Sequence, residues 1–125
     1  MSDKELMEHA KKAYEFSYSP YSHFQVGAAL LTKEGKIYTG CNIENASYGA
    51  TNCAERTAIF KAVSEGERNF ISIAVAAKDK STAYPCGLCL QVMNELMPDV
   101  KVILEDNSGL VTYSLKELLP HGFVL

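Results

Sequence analysis

The chain of 125 residues contains no apolar run near the roughly 18 residues that a membrane-spanning helix requires. Its first five residues also lack the basic and then apolar layout of a signal peptide. These absences predict a cytoplasmic protein with no membrane partner. No repeat, low-complexity tract or linker divides the sequence, so we expect a single domain over residues 1–125.

Clusters of lysine and arginine are also absent, and the formal net charge is −3. Binding to a nucleic acid polymer depends mainly on neutralising phosphates, so a duplex or a long single strand is a poor candidate ligand. A small, largely uncharged substrate fits the composition better. His9, His23 and His121 have no partner at metal-ligand spacing, and we assign none of them to a metal.

Four cysteines are present, and in a reducing compartment they are better explained by metal binding, redox chemistry or burial than by disulfides. Cys86 and Cys89 lie three residues apart, and Cys53 is followed closely by Glu55. Zinc held by three thiolates keeps a fourth position for water, and a carboxylate beside it can move that water's protons. The pattern predicts a catalytic zinc site.

Apolar periodicity and end signals predict four helices and five strands. We expect helices over residues 2–16, 53–66 and 85–97, and a short one that starts at Ser114 and ends before Pro120. We expect strands at 25–32, 36–41, 70–77, 100–104 and 110–113. Helical crossovers between strands imply partly parallel pairing, so the expected fold is an α/β three-layer sandwich with one mixed five-stranded sheet flanked by helices.

Both cysteine segments fall where a helix begins, and the positive end of a helix favours thiolate over thiol. One helical turn places Cys86 and Cys89 on the same side. Cys53 must come from another helix, which can meet the first at one edge of the sheet. Three thiolates leave excess negative charge around a divalent cation, and Arg56 can offset it by hydrogen bonding to the sulfurs.

Several ordered motifs resemble the small zinc-dependent cytidine deaminases, and the resemblance extends over nearly the whole chain. The motifs are Cys53–Arg56, Pro85–Cys89, Tyr21–Ala29, Gly40–Ala46 and Leu118–Pro120. In such deaminases zinc activates water for attack on a ring carbon, and a glutamate that is not a ligand shuttles protons.

The resemblance implies hydrolytic deamination of cytidine and deoxycytidine to uridine or deoxyuridine and ammonia, in pyrimidine salvage. Cys53, Cys86 and Cys89 would bind Zn²⁺. Glu55 would carry protons to N3 of the base and then to the leaving amine.

For the rest of the substrate, the resemblance implies that Asn42 and Glu44 hydrogen-bond the ribose 3′ hydroxyl. Phe24 would line the nucleoside pocket, and the backbone of Ala54 would meet the base. The family usually forms a homotetramer whose sites are completed across interfaces. That assembly would give roles in a neighbour's pocket to Ala46, Tyr48 and Phe123.

One position departs from the resemblance, because the family commonly has arginine directly after the last cysteine and this chain has Leu90. A second guanidinium beside the thiolates is therefore missing. We expect the site to depend more on Arg56.

Three alternatives stay open at the level of sequence. Cys86 and Cys89 alone also match a thioredoxin-type redox pair. All four cysteines, with Cys41 included, would suit a closed structural zinc site in a binding module, although we expect Cys41 to be a buried, inert thiol. The substrate is alternatively a related nucleoside, such as an aminonucleoside antibiotic. Simple packing is the competing explanation for Phe24, Tyr48 and Phe123.

Overall fold

The computed structural model describes all 125 residues. Its helices are α1 (Asp3–Ala13), α2 (Ala54–Ser64), α3 (Gly87–Leu96) and α4 (Leu115–Leu118), with 3₁₀ turns at Tyr14–Phe16 and Tyr48–Ala50. Its strands are β1 (Val26–Thr32), β2 (Ile37–Cys41), β3 (Phe70–Ala77), β4 (Lys101–Asp106) and β5 (Gly109–Ser114). None of the helices combines the length and apolar character needed to cross a bilayer.

The five strands form one sheet in the order β2-β1-β3-β4-β5. Only β3 and β4 pair in parallel, and the other three pairs are antiparallel. Helix α1 packs on one face of the sheet, while α2, α3 and α4 pack on the other. The predicted three-layer α/β sandwich with a mixed five-stranded sheet is confirmed.

Alternation along the central strands supplies both layers of the core, because successive side chains of a strand point to opposite faces. Ala28 and Leu30 belong to the larger cluster beneath α2 and α3, whereas Ala29 and Leu31 contact the α1 side. Strand β3, a continuous apolar run, is buried at every residue except Ile71, which is 44% exposed. The pairing with β1 skips this residue, and such a bulged residue leaves the regular pleat.

The predicted end signals operate at three helices. Ser2 caps α1 with Glu5 in a capping box, and Ser114 caps α4 in the same way. Gly66 follows α2 with φ of +97°, the left-handed conformation that glycine adopts easily. Helix α3 begins two residues later than predicted, because Cys86 has extended backbone and serves as the N-cap.

Gly40 allows β2 to lie directly against the first turns of α2. A Cβ atom built on Gly40 would lie 2.6 Å from the backbone nitrogen of Ala58 and 2.7 Å from the carbonyl oxygen of Ala54. Any side chain at position 40 would therefore push the strand and helix apart. The close approach brings the end of β2 beside the turn that carries Cys53.

Candidate active site

Three sulfur atoms meet where α2 and α3 begin. The Sγ atom of Cys86 lies 3.7 Å from that of Cys53 and 3.6 Å from that of Cys89. All three lie within 4.8 Å of one another. A tetrahedral zinc ion with Zn–S bonds of about 2.3 Å separates its sulfur ligands by roughly 3.8 Å. The cluster therefore has the spacing of a three-thiolate zinc site.

The helices that carry these sulfurs follow strands that run in the same direction. Both β2 and β3 are antiparallel to β1, which lies between them, so their carboxyl ends reach the same edge of the sheet. Cys53 is the N-cap of α2, and Cys86 is the N-cap of α3. Two positive helix ends therefore face the sulfurs, which favours thiolates there.

The thiols of Cys53 and Cys89 interact closely and titrate as a pair. Hydrogen bonds from the Cys89 thiol and from Arg56 lower the pKa of Cys53 to about 5. The hydrogen bond with Cys53, together with burial, raises the pKa of Cys89. The pair therefore loses its first proton readily and holds the second one tightly.

Arg56 is the cation beside the sulfurs. Its Nη2 donates a hydrogen bond of 3.3 Å to the Sγ of Cys53, and its Nε is buried without a partner. Leu90, by contrast, is only 8% exposed and belongs to the main apolar cluster. Position 90 thus contributes packing, and Arg56 supplies the positive charge at the sulfurs.

Glu55 lies in the first turn of α2 and is 4% exposed. It lines the cavity described below and hydrogen-bonds the Cys89 thiol, but it is not one of the three potential metal ligands. Burial raises the pKa of its carboxyl group to about 7. A buried carboxyl group on a cavity wall beside three sulfurs is well placed to exchange protons with a bound molecule.

A cavity of about 430 Å³ opens next to this group, within the range of small-molecule sites. Residues from five separate segments line it. From the predicted site these are Phe24, Asn42, Glu44, Cys53, Ala54, Glu55 and Cys86. The structure therefore brings these seven residues, with predicted roles in metal binding, proton transfer and nucleoside binding, to one cavity.

Most of the hydrogen-bonding capacity of the Asn42 side chain is already used within the protein. Its Oδ1 accepts from the Ser17 hydroxyl and from the Val26 backbone at 3.0 Å, and its Nδ2 donates to the Phe24 carbonyl at 2.7 Å. One N–H of the amide remains for a substrate. Asn42 therefore also orders the cavity wall that contains Phe24.

Glu44 fixes the neighbouring loop in a similar way. Its carboxylate accepts from the backbone of Tyr21 at 3.0 Å, from the backbone of Ser22 at 3.2 Å and from the Ser22 hydroxyl. The hydrogen bond from the hydroxyl lowers the pKa of Glu44. The carboxylate is thus held in its ionised form at the cavity.

Sequence reasoning did not identify the wall formed by Thr82, Ala83 and Tyr84. Tyr84 is 59% exposed, and its ring centroid lies 6.1 Å from that of Tyr113. The signal was available, because a loop that directly precedes Cys86 must lie at the same edge as the sulfurs. Asn52, the residue before Cys53, was missed in the same way.

Three predicted residues lie outside this chain's own cavity. Ala46 and Tyr48 are exposed, and the Tyr48 ring makes an edge contact with Tyr21 at 6.5 Å. The Phe123 side chain is 65% exposed, while its backbone is held by Gln91 and Asn94 of α3. Their expected roles in a neighbour's pocket remain predictions.

Cys41 stays apart from the other cysteines. It is half-buried rather than buried, because β2 is an edge strand and its end borders a groove between α1 and α2. Burial raises the pKa of its thiol. The metal-competent group contains three cysteines and neither Cys41 nor a histidine. This arrangement contradicts the closed four-cysteine site.

Sequence comparison agrees with this geometry. Residues 1–105 match the family model described as "Cytidine and deoxycytidylate deaminase zinc-binding region". A cytidine deaminase of Halalkalibacterium halodurans is 54% identical over 125 residues, which cover 98% of this chain and 95% of the relative. A blasticidin-S deaminase of Bacillus cereus is 36% identical, with 94% of this chain and 89% of the relative covered.

Structure comparison gives the same result. The crystal structure of cytidine deaminase from Burkholderia pseudomallei has a TM-score of 0.92 and 48% identity, and the match covers 98% of this chain and all of that one. The cytidine deaminase of Mycobacterium tuberculosis has a TM-score of 0.87 and 35% identity over the full length of both chains. With sequence, fold and zinc-competent cluster in agreement, the chain belongs to the cytidine and deoxycytidylate deaminase family.

Proposed function

We propose that the protein catalyses hydrolytic deamination of cytidine and deoxycytidine to uridine or deoxyuridine and ammonia. The observation that carries the proposal is the buried Glu55 beside three clustered sulfurs on the wall of a nucleoside-sized cavity. The names of the relatives support the same substrate.

In this proposal Cys53, Cys86 and Cys89 hold zinc. When bound, zinc supplies the Lewis acidity that makes water a usable nucleophile near neutral pH. Glu55 accepts one proton from the attacking water and delivers it to N3 of the cytosine ring as the water oxygen bonds to C4. It then takes the second proton of that water and passes it to the amino group, which leaves as ammonia when the C4–N bond breaks. Its burial keeps solvent from competing for that proton.

The remaining cavity residues orient the nucleoside. The backbone of Ala54 contacts the base. Phe24, which lies on a different segment of the cavity wall, packs against the nucleoside. The free N–H of Asn42 and the carboxylate of Glu44 hydrogen-bond the ribose 3′ hydroxyl. Both groups are fixed by the loop 17–26 before substrate arrives, which limits the entropy lost on binding.

The direct test measures zinc per chain and the loss of cytidine absorbance on the same purified sample. We expect about one zinc ion per chain and conversion of cytidine to uridine. Stoichiometric zinc without cytidine turnover would contradict the proposed substrate. Lack of zinc, together with reversible oxidation of Cys86 and Cys89, would instead indicate the redox alternative.

A related aminonucleoside is the second candidate substrate, favoured by the similarity to a blasticidin-S deaminase. The same assay with blasticidin S in place of cytidine separates the two. We expect cytidine to be preferred, because the Asn42 and Glu44 pair suits a sugar hydroxyl. A higher kcat/KM for the antibiotic would reverse the assignment.

A substrate without the 3′ hydroxyl should be a poor one. We expect kcat/KM for 3′-deoxycytidine to fall by about 100-fold or more, because Glu44 and Asn42 would lose a partner inside the site. The comparison is made by steady-state kinetics against cytidine and 2′-deoxycytidine. An equal kcat/KM for the 3′-deoxy compound would show that these residues do not contact the sugar there.

Arg56→Ala should weaken zinc retention and lower turnover. We expect an effect of about 10- to 100-fold in metal affinity or activity, since Arg56 donates to the Cys53 sulfur and Leu90 offers no substitute. Zinc content after dialysis and cytidine kinetics measure the two effects. Arg68→Ala, at the chain's only other arginine, is the matched control because Arg68 is exposed and bonds only backbone carbonyls. Unchanged zinc and turnover in Arg56→Ala would contradict the expectation.

We also propose that the chain forms a homotetramer and works in pyrimidine salvage in the cytoplasm. Large exposed side chains support the assembly: Phe16 is 82% exposed, Tyr48 is 81% and Phe123 is 65%. A reducing compartment would keep the free thiols available for zinc. The 125 residues act in this proposal as one domain.

A further inference from the structure

The hydroxyl group of Thr57 on α2 joins the end of β2 to the turn that leads into α2. Its Oγ1 accepts a hydrogen bond of 3.2 Å from Nδ2 of Asn52. The same oxygen lies 3.0 Å from the carbonyl oxygen of Cys41 and 3.1 Å from that of Cys53, so its proton can be donated to either. One side chain thus contacts the end of β2, the residue that precedes Cys53, and Cys53 itself.

Two of these partners, Asn52 and Cys53, line the cavity themselves. Asn52 lines the cavity and pairs with Ile43 through two backbone hydrogen bonds of 2.9 Å. Ile43 lies between Asn42 and Glu44, the residues proposed to bind the sugar. The Thr57 hydroxyl therefore connects the segment that holds the sugar-binding side chains with the turn that holds the Cys53 sulfur.

Ordinary helical geometry explains only part of this arrangement. A threonine inside a helix often donates to the carbonyl four residues earlier, which is the contact with Cys53 here. The contacts with Cys41 and Asn52 lie outside the helix and need β2 and the loop to approach α2 closely. Gly40 permits that approach, because a side chain at this position would collide with the backbone of Ala54 and Ala58.

We propose that Thr57 is a positioning residue, whose hydroxyl holds the backbone of Cys53, the residue that carries the sulfur, and the Asn42–Glu44 segment in one fixed relation. The inference rests on the proposed function, because it assigns the segment to the sugar and the sulfur to zinc. It predicts that loss of the hydroxyl affects both substrate binding and metal retention.

The test compares Thr57→Val, which keeps the shape and removes the hydroxyl, with Thr57→Ser, which keeps the hydroxyl. For Thr57→Val we expect KM for cytidine to rise on the order of fivefold, the effect of losing the half-buried hydrogen bond that links Thr57 to Asn52 on the cavity wall. We also expect zinc loss to excess chelator to become about tenfold faster, as for other groups that orient a ligand. In Thr57→Ser both KM and the rate of zinc loss should stay within about twofold of the original chain.

Thr32→Val is the matched control for a lost threonine hydroxyl. Thr32 is fully buried at the other end of β1, where its Oγ1 accepts from the Lys36 backbone at 3.0 Å. Its valine variant should lower the melting temperature and leave KM and zinc loss unchanged. Equal changes in Thr32→Val and Thr57→Val would show a general stability effect and overturn the proposal.

Asn52→Ala removes the hydrogen bond between Asn52 and Thr57 while keeping the Thr57 hydroxyl. It is the replacement test if Thr57→Val does not fold. It should raise KM and leave the rate of zinc loss unchanged. Unaltered KM in Asn52→Ala, or identical defects in Thr57→Ser and Thr57→Val, would overturn the proposal. Failure of the unmodified chain to deaminate cytidine would overturn the proposed function instead, while zinc loss would still report on the link to Cys53.

Discussion

Glu55→Gln should retain zinc and lose cytidine turnover by about 10²–10⁴-fold, the usual contribution of a general acid and base. Glutamine has the size and shape of glutamate but cannot carry the proton. Glu55 is not one of the three potential metal ligands, so metal content should stay near that of the original chain. Zinc analysis and steady-state kinetics on the same preparation check both halves of the result.

Folding should not suffer from this substitution. Glu55 is 4% exposed, and a buried carboxylate is costly to desolvate, whereas a neutral amide is less so. Glu95→Gln is the matched control, because Glu95 is an exposed helical glutamate on α3 without an ion pair. Near-normal turnover in Glu55→Gln would remove Glu55 from the mechanism. Loss of zinc in that variant would instead make it part of the metal site.

Cys86→Ser should abolish stoichiometric zinc and, with it, turnover. Loss of a group that only orients a zinc ligand weakens zinc binding by roughly 10- to 100-fold. Loss of a direct ligand should weaken it further. Cys86 is the exposed member of the cluster, so the substitution leaves the apolar core intact. The zinc-to-protein ratio after gel filtration and the rate of cytidine loss measure the result.

Cys41→Ser separates this site from a structural zinc module. Cys41 lies in the groove between α1 and α2, away from the three sulfurs, so its serine variant should keep both zinc and activity. Release of zinc from Cys41→Ser would contradict the three-cysteine site. Full zinc retention in Cys86→Ser would contradict it equally.

Local signals were sufficient to predict most of the fold. Serine and glutamate three residues apart mark the start of α1 and of α4, and Gly66 marks the end of α2. These features act within one turn of chain, so a sequence pattern specifies them. The sheet followed because helices that connect strands restrict how those strands can pair.

Features that depend on pairing between distant segments were not predictable. The exposure of Ile71 results from a bulge against β1, which the apolar run around it does not reveal. The half-exposure of Cys41 follows from the place of β2 at the sheet edge, which the sequence order of strands does not give. In both cases the decisive contact is with another strand.

The candidate site was predicted as a set of residue types rather than as a geometry. Cys53 approaches Cys86 because the carboxyl ends of β2 and β3 lie at the same edge of the sheet. The spacing of the cysteines in the sequence is compatible with this approach but does not require it. Asn42 was assigned to the sugar, but most of its hydrogen-bonding capacity goes to the loop 17–26. Hydrogen-bond accounting of this kind requires coordinates, because the partners are up to 25 residues apart.

The three sulfurs also have a consequence for folding. Cys53 and Cys86 are 33 residues apart, so an ion held between them closes a long loop and links two crossover helices. Such a link resembles a disulfide in restricting the unfolded chain, but it breaks under a chelator rather than a reductant. Metal occupancy is therefore expected to raise the free energy of unfolding of α2 and α3 together, which makes zinc supply a determinant of the fraction of the protein that is folded.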